Sequence, residues 1–244
     1  MALDFDGTLA PLVEDPAAAR PLAAASAALA RLAALEQVAL ALVSGRPADD
    51  LARLAAPPDA TRLVGSHGAE LGWMEAGQAV LAPTELSPAR RRRLEAAQDA
   101  LEALAATAEG AWVERKPFAA AFHTRPMADR ARAAALERQA AELGAALGAH
   151  ALAGKMVVEL GVLPVGKAAA LARLKTQVGA DRLVFAGDDV TDELALRAIK
   201  PPDLGIKVGS GPTAASRRLA GPPQVAEFLT CLATALEQAA PAGR

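Results

Sequence analysis

Two kinds of apolar pattern divide the chain. In the first, short continuous apolar runs alternate with longer stretches whose apolar residues recur at helical spacing. Met1-Ala2-Leu3 leads into Asp4-Phe5-Asp6-Gly7-Thr8, which reads as a strand end entering a glycine turn. Only three residues precede Asp4, short for a buried central strand of about five or six. The strand is either abbreviated or lacks its first part in the chain as given. Leu22, Leu29, Leu32 and Leu35 then form a rough apolar stripe, a helix against a core. Val38 to Val43 is an unbroken apolar run, as expected of a strand buried on both faces of a parallel sheet. It stops at Ser44-Gly45-Arg46, and Pro47 suits the first position of the next helix. Leu63-Val64 is a further short strand, leaving through Gly65-Ser66-His67-Gly68.

The same pattern resumes after Pro164. A helix is predicted over 166–178, a buried strand over Leu183–Gly187 and a helix capped by Thr191. A strand over Leu204–Val208 and a last helix over Pro222–Gln238 follow. This alternation predicts an α/β domain built on a doubly wound, mostly parallel, Rossmann-like sheet. The middle of the chain carries the second pattern. Leu94, Ala97, Leu101 and Leu104 mark an amphipathic helix from near Pro88, and Leu136, Ala140, Leu143 and Leu147 another that ends at Gly148. Each is followed by two short strands, Trp112–Lys116 with Ala119–Thr124, then His150–Ala153 with Met156–Leu160. Helix–strand–strand twice over predicts an α+β cap domain over 85–160, inserted into an α/β core of 1–84 and 161–244. A module inserted beside strand ends is the usual layout of a lid.

Composition narrows the function classes. With 52% hydrophobic residues among 244, the chain can bury a core and is not disordered. Aromatics are only 3% and Tyr is absent, which disfavours a platform for stacking nucleic-acid bases. The 26 basic and 28 acidic residues leave a net charge of -2, so no global basic field exists to hold a polyanion. The single cysteine, Cys231, excludes an internal disulfide framework and a cysteine-rich metal site; it is expected to pack as a small apolar residue. No apolar run nears the roughly 20 residues of a membrane helix, and no basic segment followed by an apolar core marks a secretory signal. A soluble cytoplasmic protein is expected, monomeric or weakly oligomeric, without nucleic-acid or membrane partners.

The candidate chemistry lies directly after the apolar strands. Asp4 and Asp6, then Ser44, then Asp188, Asp189 and Asp192 each follow one, and strand carboxyl ends in an open α/β sheet converge on one crevice. Clustered carboxylates repel one another and resist desolvation, so they call for a cation. Oxygen ligands alone suit Mg²⁺. A metal with one lysine, Lys167, is a fitting environment for a phosphoryl group. In Asp4-x-Asp6-Gly7-Thr8, Asp4 can attack phosphorus to give an aspartyl-phosphate. Asp6 can protonate the leaving oxygen and then deprotonate water. Gly7 lets the backbone turn closely around the phosphate, and Thr8 offers a further hydrogen bond.

The order D-F-D-G-T-L, S-G-R, a later Lys and G-D-D-V-T-D-E resembles the haloacid dehalogenase superfamily of phosphohydrolases. Shorter segments resemble its trehalose-6-phosphate phosphatase branch: Gly65-Ser66-His67-Gly68-Ala69-Glu70, Trp112-Val113-Glu114-Arg115-Lys116, Ala121-Phe122-His123-Thr124-Arg125 and Lys155 to Glu159. The resemblance implies that Asp4 is the nucleophile, Asp6 the general acid/base, Ser44 a phosphoryl holder beside Gly45, and Lys167 a neutraliser that orients Asp4. It implies Mg²⁺ on a carboxylate oxygen of Asp4, the backbone carbonyl of Asp6, and Asp188, with Asp189 or Asp192 supporting from behind. Two departures stand out: Lys167 is followed by Ala168 where the family usually has Gly, and Glu159 lacks the Arg-Pro or Lys-Pro that often follows.

The implied reaction is Mg²⁺-dependent hydrolysis of trehalose 6-phosphate. The alternatives are another sugar-phosphate or mannosyl-phosphoglycerate phosphatase, or a non-catalytic sugar-phosphate sensor. A sensor gains nothing from a nucleophile. Glu114, Lys116, His123, Arg125 and Glu159 are candidates for sugar hydroxyls, or else hairpin charges turned to solvent. Glu159, on an otherwise apolar strand, is the hardest of these to dismiss. His67 reads equally as a turn histidine or a substrate contact. Arg46 reads as a helix-start and loop-packing residue, Arg90 to Arg93 as a solvated face, and Trp112 as a hydrophobic anchor for the inserted module.

Overall fold

The computed structural model describes residues 1–163 and 166–239. The chain forms two compact units, Met1–Ala82 with Val165–Arg244, and Pro83–Pro164. The first unit begins with β1 (Ala2–Leu3), α1 (Ala23–Ala33), β2 (Ala41–Val43), α2 (Ala48–Ala55), β3 (Arg62–Gly65) and a hairpin of β4 (Glu70–Glu75) and β5 (Gln78–Leu81). The second unit holds α3 (Pro88–Ala105), β6 (Trp112–Arg115), β7 (Ala119–His123), α4 (Arg130–Leu147), β8 (His150–Gly154) and β9 (Val157–Gly161). The first unit is completed by α5 (Lys167–Gln177), β10 (Val184–Gly187), α6 (Val190–Ala198), β11 (Leu204–Val208), β12 (Arg217–Leu219) and α7 (Pro222–Ala239).

The sheet of the first unit has the order β12-β11-β10-β1-β2-β3-β4-β5. Pairing is parallel from β12 to β3 and antiparallel only in the added hairpin. Successive strand residues point to opposite faces, and each face has its own cover. Ala2, Ala41, Val43, Val64 and Phe185 pack against Ala170, Leu171 and Leu174 of α5 and Ala195 and Leu196 of α6. Leu3, Leu42, Leu63, Ala186 and Ile206 pack in one cluster with residues of α1, α2 and α7. This is the doubly wound sheet expected from the apolar runs, with helices on both faces. Register places Leu3 beside Leu42 and Ala186, so Asp4, Ser44 and Asp188 all leave the same end of adjacent strands.

The periodicity gives no sign of the β4–β5 hairpin. Its turn residues Ala76 and Gly77 have φ of 49° and 74°, the two left-handed positions of the turn that matches strand twist. β12 is equally silent, being three edge residues with two arginines. The helix α6 is capped not by Thr191 but by Asp189, whose side chain accepts from the backbone N–H of Asp192. Cys231 is exposed rather than packed. No helix of the described residues is long and apolar enough to cross a membrane.

The second unit is a four-stranded antiparallel sheet, β6-β7-β9-β8, with α3 and α4 on one face. Ala120, Phe122, Val158 and Leu160 point into that core against Leu101, Leu104, Leu136 and Ala140. Asp129 caps α4, and Gly148, at φ 68°, ends it. The unit extends beyond 85–160 because β9 runs on to Gly161 and Val162 N–H still donates to Phe118 O. Trp112 does not anchor it: this side chain is 47% exposed and stacks on His123, ring centroids 4.1 Å apart.

Candidate active site

Asp4 stands immediately after β1 and is 4% exposed. Lys167, at the first position of α5, donates from Nζ to Asp4 Oδ1 at 2.7 Å and to Asp192 Oδ1 at 2.6 Å. Asp192 Oδ2 in turn accepts from the backbone N–H groups of Asp188 and Asp189. Asp189 Oδ1 accepts from Asp192 N and Thr191 Oγ1, so α6 begins with a reciprocal capping box. The loop after β10 is therefore fixed by its own carboxylates. The Lys207 ammonium, buried on β11, donates to the carbonyl of Asp188.

These groups set one another's charge. Burial raises Asp4 to about 7 against the pull of Lys167, and the nearby Asp188 and Asp189 add to the rise. Asp188 is also raised to about 7, by burial first and then by Asp192 and Asp189. Asp192 is pushed well above the usual carboxylate range by burial and by Asp4. Burial alone would raise Asp189 too, but Lys167 and the hydrogen bonds it accepts outweigh that and lower it. Burial works against the Lys167 ammonium, yet the carboxylates of Asp4 and Asp192 more than offset it and hold Lys167 above its ordinary value.

The cluster has the chemistry of a divalent-cation site. Oxygens of Asp4, Asp188 and Asp192 lie within 4.8 Å of one another. They are hard ligands, and all three are raised by burial and by one another's charge. Gly7, at φ 77°, makes room for this: a Cβ there would lie 2.2 Å from Asp188 Oδ2. The residues present fit a hard cation such as Mg²⁺ held by Asp4 and Asp188.

Asp6 is bound by a residue that its sequence context marks only as packing. Arg46 donates from Nε to Asp6 Oδ2 at 2.6 Å and from a terminal nitrogen to Asp6 Oδ1 at 2.7 Å, a bidentate pair. Arg46 N–H also donates to Ser44 Oγ at 3.2 Å, and Ser44 is buried. Thr8 Oγ1 is buried with no hydrogen-bond partner among the described residues. The His67 ring lies on Gly45, where a Cβ would sit 2.5 Å from Cε1 and Nε2.

In the second unit, strand register sets Glu114 and Glu159 on either side of Ala121. Lys116 Nζ donates to Glu159 at 2.6 Å, with both side chains nearly buried. His123 Nε2 lies 3.3 Å from Glu114. These four share the sheet face that carries Trp112, opposite the helices. Arg125 is not among them; it follows the end of β7 and is exposed.

A parallel sheet with a buried aspartate after one strand, a lysine locked to it and an acidic loop after the neighbouring strand define the haloacid dehalogenase fold of phosphatases. The trehalose-phosphatase family profile matches residues 2–223, and the chain belongs to that family. An uncharacterized glycosyl hydrolase of Mycobacterium tuberculosis is 39% identical over 97% of this chain and 18% of its own length. The trehalose-phosphate phosphatase of Mycobacterium ulcerans is 35% identical over 96% of this chain and 61% of its own. The chain thus spans less than two thirds of these relatives. A solved structure, a trehalose-6-phosphate phosphatase related protein, superposes with a TM-score of 0.76 at 26% identity, covering 97% of this chain and 98% of that one.

Proposed function

We propose that the protein hydrolyses trehalose 6-phosphate to trehalose and phosphate through an aspartyl-phosphate on Asp4, with Mg²⁺. The observation that carries this reading is Asp4 itself. It is buried, one oxygen is fixed by Lys167, and the other takes no hydrogen bond among the described residues. That second oxygen attacks phosphorus while the ester oxygen leaves. Asp6 gives the leaving oxygen its proton, for which it exchanges its contact with Arg46 for the substrate. Asp6 then takes a proton from the water that attacks the aspartyl-phosphate, which returns Asp4 and releases phosphate. The Ser44 hydroxyl and the Lys167 ammonium hold the transferring group. A bound cation on Asp4, the Asp6 carbonyl and Asp188 would stabilise charge on the phosphoryl oxygens, with Asp189 and Asp192 bracing the loop that presents Asp188.

Selection of the sugar is assigned to Glu114, Lys116, His123 and Glu159, whose paired acceptors and donors suit hydroxyl groups. Arg125 contributes from outside that group. Thr8, Gly45 and His67 belong to the phosphoryl end of the substrate. The reading is of a cytoplasmic enzyme, acting alone or as a weak oligomer on a small sugar phosphate. Phosphate release from trehalose 6-phosphate, sucrose 6-phosphate, glucose 6-phosphate, mannosyl-phosphoglycerate and an aryl phosphate, each with Mg²⁺, tests it. Trehalose 6-phosphate is expected to have the highest kcat/KM. A higher value for another sugar phosphate would overturn the substrate, and no release from any would overturn the reaction.

A further inference from the structure

The segment 65–70 grips the loop that carries Ser44 and Arg46 at every second residue of that loop. His67 N–H donates to Ser44 O at 3.0 Å, and Ser66 N–H donates to Arg46 O at 2.7 Å. Ala48 N–H, in the first turn of α2, donates to Glu70 Oε2 at 3.1 Å. The Ser66 hydroxyl donates to that same oxygen at 2.7 Å. α2 has no cap of its own, because Pro47 stands at the cap position without a side-chain acceptor. Glu70 supplies the missing acceptor from β4, and its negative charge suits a helix N-terminus. Gly65 and Gly45 allow the close approach: a Cβ on Gly65 would lie 2.4 Å from Ala48 N, and one on Gly45 would strike the His67 ring.

The grip is held under strain. Ser66 and His67 have φ of 48° and 54°, left-handed values that are unfavourable for a non-glycine residue. Such a backbone persists only where surrounding bonds over-determine it. Here those are the bonds to Ser44, Arg46 and Glu70, and they order the loop that places the Ser44 hydroxyl and the arginine on Asp6.

We propose that Glu70 is a positioning residue, anchoring through Ser66 and Ala48 the loop on which Ser44 and Arg46 meet the phosphoryl group and Asp6. This rests on the phosphatase reading only for its kinetic consequence. The anchor itself is a statement about the loop.

The test uses the full chain. Both bonds fall on one oxygen, so Glu70→Gln, with its amide oxygen in that place, is expected to keep kcat on an aryl phosphate within about threefold. Glu70→Ala is expected to lower kcat by tenfold or more and to weaken inorganic phosphate binding, measured by calorimetry, by at least fivefold. Amide hydrogen exchange is expected to accelerate at Ala48, Ser66 and His67 in Glu70→Ala and to stay unchanged in α4. If wild type releases no phosphate from any ester, the reaction fails and exchange alone decides the anchor. Faster exchange with unchanged kcat and phosphate binding would overturn positioning, leaving a structural tie. Unchanged exchange, or equal losses in Gln and Ala variants, would overturn the anchor. Should Glu70→Ala not fold, Ser66→Ala removes one of the two bonds; kcat at the wild-type level there would overturn the proposal too.

Discussion

Asp4 is nearly removed from water, yet among the described residues only one of its oxygens is tied, to an ammonium that is itself shared with Asp192. A buried carboxylate held still in this way keeps an attacking oxygen oriented. Asp4→Asn keeps the shape and the hydrogen bond but removes the attacking charge. Phosphate release should fall by several orders of magnitude while circular dichroism is unchanged. Retention of more than about a tenth of the rate would take Asp4 out of that role. Glu159 poses a different residue-scale question, since its partner Lys116 is as buried as it is. Glu159→Ala leaves that lysine only the longer contact with Glu114, at 3.9 Å, and removes an acceptor for sugar hydroxyls. On trehalose 6-phosphate, kcat/KM should drop about tenfold or more, at least roughly 1.4 kcal/mol of transition-state binding. On an aryl phosphate the drop should be much smaller. Equal falls on both substrates would point to damage to the second unit rather than to lost recognition.

At the scale of elements, helix starts are where this chain spends its polar side chains. α6 is capped by Asp189, α4 by Asp129 and α3 by Ser87, while α2 borrows its acceptor from Glu70. These caps differ in consequence. Among the described residues Asp129 hydrogen-bonds within its own helix, its Oδ1 accepting from Arg132 N–H at 2.9 Å. Asp129→Ala should therefore cost about 1 kcal/mol of stability, seen as a lower urea midpoint, with turnover of an aryl phosphate unaltered. A loss of turnover without a loss of stability would show that this cap does more than start a helix. The central strands β1, β2 and β10 need no such devices, because parallel pairing and helices on both faces bury them.

For the whole molecule, pH and cation binding act through the same carboxylates. Asp188 is raised to about 7 in the folded chain from an ordinary 3.8. Between those values the folded cation-free protein holds a proton that the unfolded chain has released, so this group's contribution to stability falls as pH rises through the window. Asp203, lowered where Lys175 and the backbone of Leu183 outweigh its burial, acts in the opposite sense and only near and below its ordinary value. Melting temperatures of the cation-free protein against Asp188→Asn should therefore draw together towards pH 4 and separate progressively up to about pH 7, wild type being the less stable there. Mg²⁺ should raise the melting temperature of wild type more at pH 8 than at pH 5, since the cation competes with the proton. Equal rises at both pH values would remove Asp188 from the cation site.

Local sequence determined what local physics controls. Three-to-four-residue spacing of leucines and alanines specified the long helices. Unbroken apolar runs specified the buried strands, and Asp4, Lys167 and the acidic loop are visible as polar residues placed directly against apolar elements. Tertiary structure decided what depends on partners far along the chain. Arg46 reads as packing in its own segment and acquires its partner only when β1 and β2 pair, bringing Asp6, 40 residues distant, within 2.6 Å. Lys207 lies on a strand and meets Asp188 only through the pairing of β10 with β11. The β4–β5 hairpin and β12 carry no strong pattern of their own, because edge strands are only half buried and their place is set by the sheet they join. Trp112 has the composition of a core residue and an exposed position, since the register of β6 turns it to the face away from the helices. Period and chemistry are written in neighbouring residues; pairing across the sheet is a property of the closed fold.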